Sequence, residues 1–178
     1  MVAIPRPAPG EIPASYAGYA AQVPEGDLDV LLERQERQLA ELLAAIPEER
    51  GAFRYAPGKW SIKDLVGHLA DTERIMSYRL LCVAREERTP LPGFEEDDYA
   101  RAARADARPL AELAADFVAV RRATLTLVRG LAPEAWTRQG TVNGKTVAAS
   151  HLGLVIAGHA AHHLEVLQER YLGGGGLS

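Results

Sequence analysis

The sequence predicts an all-α fold, a four-helix bundle with an extended N-terminal arm, and three observations predict it. Four long segments carry apolar residues at spacings of three and four, the pattern of a helix with one buried face. Clusters of proline and glycine that stop helices separate them. No stretch of alternating polar and apolar residues rivals them as a strand. The 178 residues, 47% hydrophobic and 25% charged, suit one domain large enough to fold without disulfides or a structural metal.

Five of the eleven prolines fall within residues 1–26, which therefore read as an extended Pro-rich arm. Ile4, Ile12, Tyr16 and Tyr19 give this arm the apolar surface to lie on the bundle. Asp27 stands where an N-cap belongs, and Leu28, Leu31, Gln35, Leu39, Leu42 and Ile46 share one face of a helix over 28–46 that Pro47 ends. A loop marked by Gly51, Pro57 and Gly58 leads to Ser61-Ile-Lys-Asp64, a capping box with Asp in the usual Glu position. The second helix follows over 62–85, with Ile62, Leu65, Leu69, Met76, Leu80 and Val83 on its apolar face. Residues 86–108 contain Pro90, Pro92, Gly93 and the acidic run Glu95 to Asp98, and form a long connection with one short helix near 98–104. Pro109 fits the first turn of the third helix, where Leu110, Leu113, Phe117, Arg121, Thr124 and Val128 keep helical spacing up to Gly130. The fourth helix starts after Thr146 and runs to about Tyr171. The bundle domain spans 27–172, and the glycines from Gly173 release a flexible tail, 173–178. One internal echo stands out: Pro47-Glu48 with Gly58-Lys59 recurs as Pro133-Glu134 with Gly144-Lys145, each joining two long helices.

Composition bounds the function. A net charge of -4 and a pI near 5.8 offer no general attraction to phosphate backbones, so nucleic acid is not expected as the main partner. No apolar run approaches the roughly 20 residues of a membrane span. Cys82 is the single cysteine and reads as a small apolar packing residue on a helix. The start Met1-Val-Ala-Ile-Pro5 lacks the charged and apolar regions of a secretion signal, so a cytoplasmic location is expected.

Chemistry concentrates in the histidines. There are five, His68, His151, His159, His162 and His163, and four lie on the fourth helix. At about 100° per residue, Leu152, Ile156, Ala160 and Leu167 define the inward sector of that helix, and His159 and His163 fall inside it. His151 and His162 lie more than about 100° from its centre and are expected at the surface, an interface or beside the site. Imidazoles at i and i+4 stand about 6 Å apart along the axis, close enough to converge on one ion. Two hydrogen-bonded core histidines would satisfy the same spacing. Candidates on the second helix are His68, on the shoulder of its apolar face, and Glu73, near the centre. A buried acid needs a partner, so Glu73 reads as an acceptor for the N–H of a metal-binding imidazole, a base near an ion, or an ion-pair partner of Arg121.

His68 within Gly58-Lys-Trp-Ser-Ile-Lys-Asp-Leu-Val-Gly-His68-Leu-Ala-Asp-Thr-Glu73, together with Ile156-Ala-Gly-His-Ala-Ala-His-His-Leu-Glu-Val-Leu167, closely resembles the DinB/YfiT-like family of metalloenzymes. Arg6-Pro-Ala-Pro-Gly-Glu11, Val23-Pro-Glu-Gly-Asp27, Tyr55-Ala-Pro-Gly58 and Thr89-Pro-Leu-Pro-Gly-Phe94 agree with its pattern, so the resemblance covers nearly the whole chain. It implies an up-down-down-up bundle, a homodimer, a small-molecule substrate and one divalent ion held by His68, His159 and His163. It also implies a choice of activities: transfer of a low-molecular-weight thiol, hydrolysis, or metal binding without turnover in a stress or interaction protein.

Three neutral imidazoles leave a divalent ion its full charge and an open position, as in catalytic rather than structural sites. Such an ion acidifies a bound water or a bound thiol, so hydrolysis and thiol S-transfer are both open. The resemblance favours thiol transfer, with a low-molecular-weight thiol as cosubstrate, since the family's characterised activities lean that way and Glu73 is the one residue that reads as a dedicated base. Zinc, nickel, manganese and iron all accept this donor set.

Overall fold

The computed structural model describes residues 1–8 and 10–173; the expected tail from Gly174 onward lies outside them. Its helices are α1 (Ala14–Ala21), α2 (Leu28–Ala44), α3 (Ile62–Ala84), α4 (Glu96–Ala103), α5 (Leu110–Arg129) and α6 (Ala149–Val166). A wider turn over Leu167–Tyr171 continues α6.

The start of α3 follows from its sequence. The Ser61 hydroxyl accepts from the Asp64 N–H at 2.9 Å, and the Asp64 carboxylate accepts from the Ser61 N–H at 3.1 Å. This reciprocal capping box satisfies two backbone donors that a helix start leaves orphaned. Asp27 makes no such side-chain bond at the head of α2. There the arm supplies the acceptor instead, the Leu28 N–H donating to the Val2 carbonyl at 2.8 Å, and Asp29 accepts from the Val2 N–H at 2.8 Å.

The bundle helices pack in the cyclic order α2, α5, α3, α6, with α2 and α3 each lying against both α5 and α6. Ion pairs Asp29–Arg129 and Glu36–Arg122 run α2 antiparallel to α5. Leu28 against Gly153 and Gln35 against Ala157 make α2 parallel to α6, and His159 at His68 with Tyr171 at Trp60 makes α6 antiparallel to α3. The topology is up-down-down-up, as expected. The long 85–109 connection lets α3 and α5 run in the same direction.

Two parts of the sequence reading need correction. The arm is not wholly extended, because Ala14–Ala21 form a helix that lies along α6. Four alanines with high helical propensity follow Pro13, whose fixed φ suits a helix start, and they outweigh Gly18. The connection before the last helix holds a hairpin, β1 (Gln139–Val142) paired antiparallel with β2 (Lys145–Ala148). Asn143 and Gly144, at φ 50° and 70°, form its two-residue turn, and Asn-Gly between alternating Thr and Val is the strongest short hairpin signal a sequence carries. Leu91 joins the hairpin edge, its N–H donating to Thr141 and its carbonyl accepting from Asn143, each at 2.9 Å. Prolines 47 and 133 each open a 3-10 turn, and Gly58 and Gly144 both adopt positive φ, so the internal echo extends to the backbone.

The apolar core forms two clusters. One gathers Leu32, Leu80, Val128, Trp136 and Leu152, the other Leu39, Leu65, Leu69, Phe117 and Leu167. Buried polar side chains at mid-bundle, among them Gln35, Thr72, Glu73 and Arg121, accompany them.

Candidate metal centre

α3 contributes His68 and α6 contributes His159 and His163. One nitrogen from each lies within 4.8 Å of the others, and His68 and His159 are buried while His163 is partly exposed. Ring centroids stand 4.9 Å apart for His68–His159, 4.9 Å for His68–His163 and 4.5 Å for His159–His163. The Nε2 atoms of His68 and His159 approach to 2.9 Å. The Thr72 hydroxyl lies 3.3 Å from His68 Nδ1, one helical turn along, and fixes the orientation of that ring. Three imidazoles on two antiparallel helices thus converge on one point.

The electrostatics favour neutral rings. Burial pushes the His68 pKa down to about 4, against a small opposing pull from Asp97. Burial likewise takes His163 to about 3, helped by the neighbouring His68 and His162. His159 lies well below the ordinary value because of burial first, then the three neighbouring histidines and Arg121. Neutral imidazoles offer lone pairs, the form that binds a cation. His163 Nδ1 is buried with no hydrogen-bond partner among the described residues. Three neutral imidazoles with one nitrogen each converging within 4.8 Å are the donor set of a divalent metal, so these residues fit one.

Glu73 and Arg121 make a buried ion pair, the structural partner considered for Glu73 in the sequence. Arg121 Nε and a terminal nitrogen each donate to one Glu73 oxygen at 2.7 Å. The other terminal nitrogen donates to Gln35 Oε1 at 3.0 Å and to the Leu32 carbonyl at 3.1 Å. Gln35 in turn donates to the Ala157 carbonyl at 2.8 Å, two residues before His159. The network ties all four bundle helices at the level of the histidines. Glu73 has no hydrogen bond to any histidine among the described residues.

His151 departs from expectation. It is only 7% exposed, and its Nδ1 accepts from the Ala148 N–H at 3.3 Å, which caps the start of α6. The wheel allowed α6 a solvent face, but α1, α2 and α3 surround this helix and every residue from Ala149 to Ala160 is buried. His162 is partly exposed, beside His163 and edge-on to Tyr19.

Two aromatic neighbours of the cluster carried no sequence signal for this role. Trp60 packs its ring 4.5 Å from that of His68. Tyr19 lies edge-on to His159 at 5.4 Å. Gly158 permits that contact, since a Cβ there would sit 2.0 Å from the Tyr19 carbonyl oxygen. Beside Trp60 a cleft of about 740 Å³ opens between the 54–60 loop and α4, lined by Lys59, Asp97, Arg101 and Arg104 among others. The acidic run lies in the first turn of α4, and its Asp97 forms part of that rim.

Comparisons with known proteins agree with this architecture. A profile of the DinB superfamily matches residues 31–167. Over 69 residues the chain is 29% identical to an Oceanobacillus iheyensis protein named as a candidate metal-dependent hydrolase. That stretch spans 39% of this chain and 40% of the relative, well under half of its length. YfiT from Bacillus subtilis, described as a probable metal-dependent hydrolase with an unusual four-helix bundle topology, superposes with a TM-score of 0.72 at 17% identity. The match covers 80% of this chain and 82% of YfiT. A mycothiol-dependent maleylpyruvate isomerase superposes with a TM-score of 0.67 at 16% identity, over 82% of this chain and 61% of the isomerase. At such identities these likenesses establish the fold.

Proposed function

The chain belongs to the DinB superfamily, and from that premise we propose that it is a metal-dependent enzyme whose His68, His159 and His163 hold one divalent cation. The observation that carries this reading is the convergence of three nitrogens within 4.8 Å in the bundle interior. When bound, such a cation supplies Lewis acidity and lowers the pKa of a coordinated thiol or water.

The reaction proposed is transfer of a low-molecular-weight thiol to a small electrophile. Glu73, with both oxygens on Arg121, is poorly placed to take a proton from substrate and serves to anchor Arg121. Thr72 holds the His68 ring, Trp60 and Tyr19 wall the cluster, and the Arg121 network fixes α6 against the other helices. The mycothiol dependence of one structural neighbour supports this choice. Hydrolysis is the second reading, supported by the names of YfiT and the Oceanobacillus protein.

The test is metal analysis followed by a screen of low-molecular-weight thiols with monobromobimane or a chlorodinitrobenzene, metal-free protein serving as control. About one ion per chain and a thiol-dependent rate lost on metal removal are expected. Failure of every thiol, with metal-dependent cleavage of an ester, would replace transfer by hydrolysis. Metal closed by four protein ligands, with a large fall in melting temperature on its removal and no turnover, would leave a purely structural ion. His159→Ala should abolish stoichiometric metal binding and His151→Ala should retain it; equal losses would refute the ligand assignment.

A further inference from the structure

Arg79 is only 4% exposed, yet no carboxylate lies within ion-pair distance of it among the described residues. Its two recorded partners are the Pro92 carbonyl at 2.6 Å and the Met76 sulfur, a weak acceptor, at 3.6 Å. A guanidinium carries five N–H donors, so most of its capacity is unused. The other deeply buried arginine, Arg121, has its charge answered by Glu73. Desolvating a cation without an anion is costly, and the fold keeps this one in place.

Arg79 lines a cavity of about 290 Å³ together with Tyr78, Leu91, Phe94 and Tyr99. Its guanidinium lies 5.5 Å from the Phe94 ring centre, and Phe94 and Tyr99 meet edge to face at 5.2 Å. Arg74, on the same wall, is already paired with Asp71 and Asp116. The wall is fastened rather than loose, because Leu91 pairs with the hairpin edge through both its N–H and its carbonyl. Gly93 fits directly against Asn143, whose Oδ1 would lie 2.5 Å from any added Cβ. The cavity is therefore formed before a ligand arrives.

We propose that this cavity binds a small organic monocarboxylate with an aromatic or apolar body, its carboxylate on Arg79 and its body among Phe94, Tyr99 and Leu91. A single unanswered cation in apolar walls matches one carboxylate, which a guanidinium receives with paired hydrogen bonds. A phosphate dianion would need more donors than these walls offer. The volume sits at the small end of ligand pockets and suits a single-ring acid. Arg79 lies eleven residues beyond His68 on α3, about 16 Å along the axis, so the site is separate from the histidine cluster.

The test is calorimetric titration with benzoate and 3-phenylpropionate against their neutral amides, using metal-loaded and chelator-treated protein. An acid should bind at least about tenfold more tightly than its amide, with or without metal, because the charged hydrogen bonds are made only by the acid. Arg79→Met should remove that preference at unchanged metal content and melt no lower than the parent chain. Equal binding of acid and amide, binding lost on chelation, or no binding of any acid would overturn the proposal. So would self-association that Arg79→Met abolishes in the absence of ligand binding. The comparison of acid with amide decides the matter even if the variant does not fold.

Discussion

Gly158→Ala tests whether α1 is seated on α6 as described. The new Cβ would lie 2.0 Å from the Tyr19 carbonyl oxygen and 2.5 Å from its carbon, whereas real contacts of this kind stay beyond 3.0 Å. Both sides of the clash are backbone, so no side chain can swing away, and α1 must retreat by about 1 Å. That retreat loosens the buried Tyr16 and the Tyr19 edge on His159. Overpacking of this kind costs about 1–3 kcal/mol. In a chain of this size each kcal/mol lowers the melting temperature by about 2–4 °C, so a fall of about 2–12 °C is expected. Gly18→Ala is the matched control: its Cβ meets nothing within 4 Å, and replacing a glycine inside a helix should stabilise by about 0.5–1 kcal/mol. Scanning calorimetry with limited proteolysis of residues 22–27 reads both effects. A Gly158→Ala protein that melts with the parent and resists cleavage equally would refute the seating of α1.

Arg121→Met strands the Glu73 carboxylate in the core and should destabilise by about 3–5 kcal/mol in urea titrations, while Glu73→Leu combined with Arg121→Met should recover much of the loss. His151 is held below its ordinary pKa of 6.5 by burial, so the unfolded chain binds the proton more tightly. The stability linked to it is therefore complete above about pH 6.5 and declines as pH falls below that value. His151→Gln should lose less stability than the parent between pH 7.5 and 5.5 in denaturant titrations, and an equal loss would contradict the cap at Ala148. Gly144→Ala, at φ 70°, should cost about 1 kcal/mol by strain in the hairpin turn, read as a lower denaturation midpoint.

Much of this architecture was legible because helices write their buried faces into the chain at fixed intervals. Ser61-Ile-Lys-Asp64 announced the start of α3, and the bundle helices follow their apolar stripes within a few residues. The placement of His159 and His163 on one inward sector was legible for the same reason. What escaped depends on tertiary cover. His151 reads as an outer residue only until α1 is laid over α6, and α1 itself was hidden by the prolines on either side of a short alanine-rich run. The hairpin was hidden by its brevity, although Asn143-Gly144 marks it. Tyr19 and Trp60 reach the histidines through loop and arm geometry that no spacing encodes.

Because α2 has no substantial interface with α3, nor α5 with α6, no bundle helix forms an antiparallel hairpin with the next bundle helix along the chain. Each large interface closes a long loop, which slows folding relative to a bundle wound in simple succession. His68 and His159, 91 positions apart, meet only when the first and last thirds of the domain have come together. A cation at that point would arrive after assembly, locking a finished fold instead of seeding it.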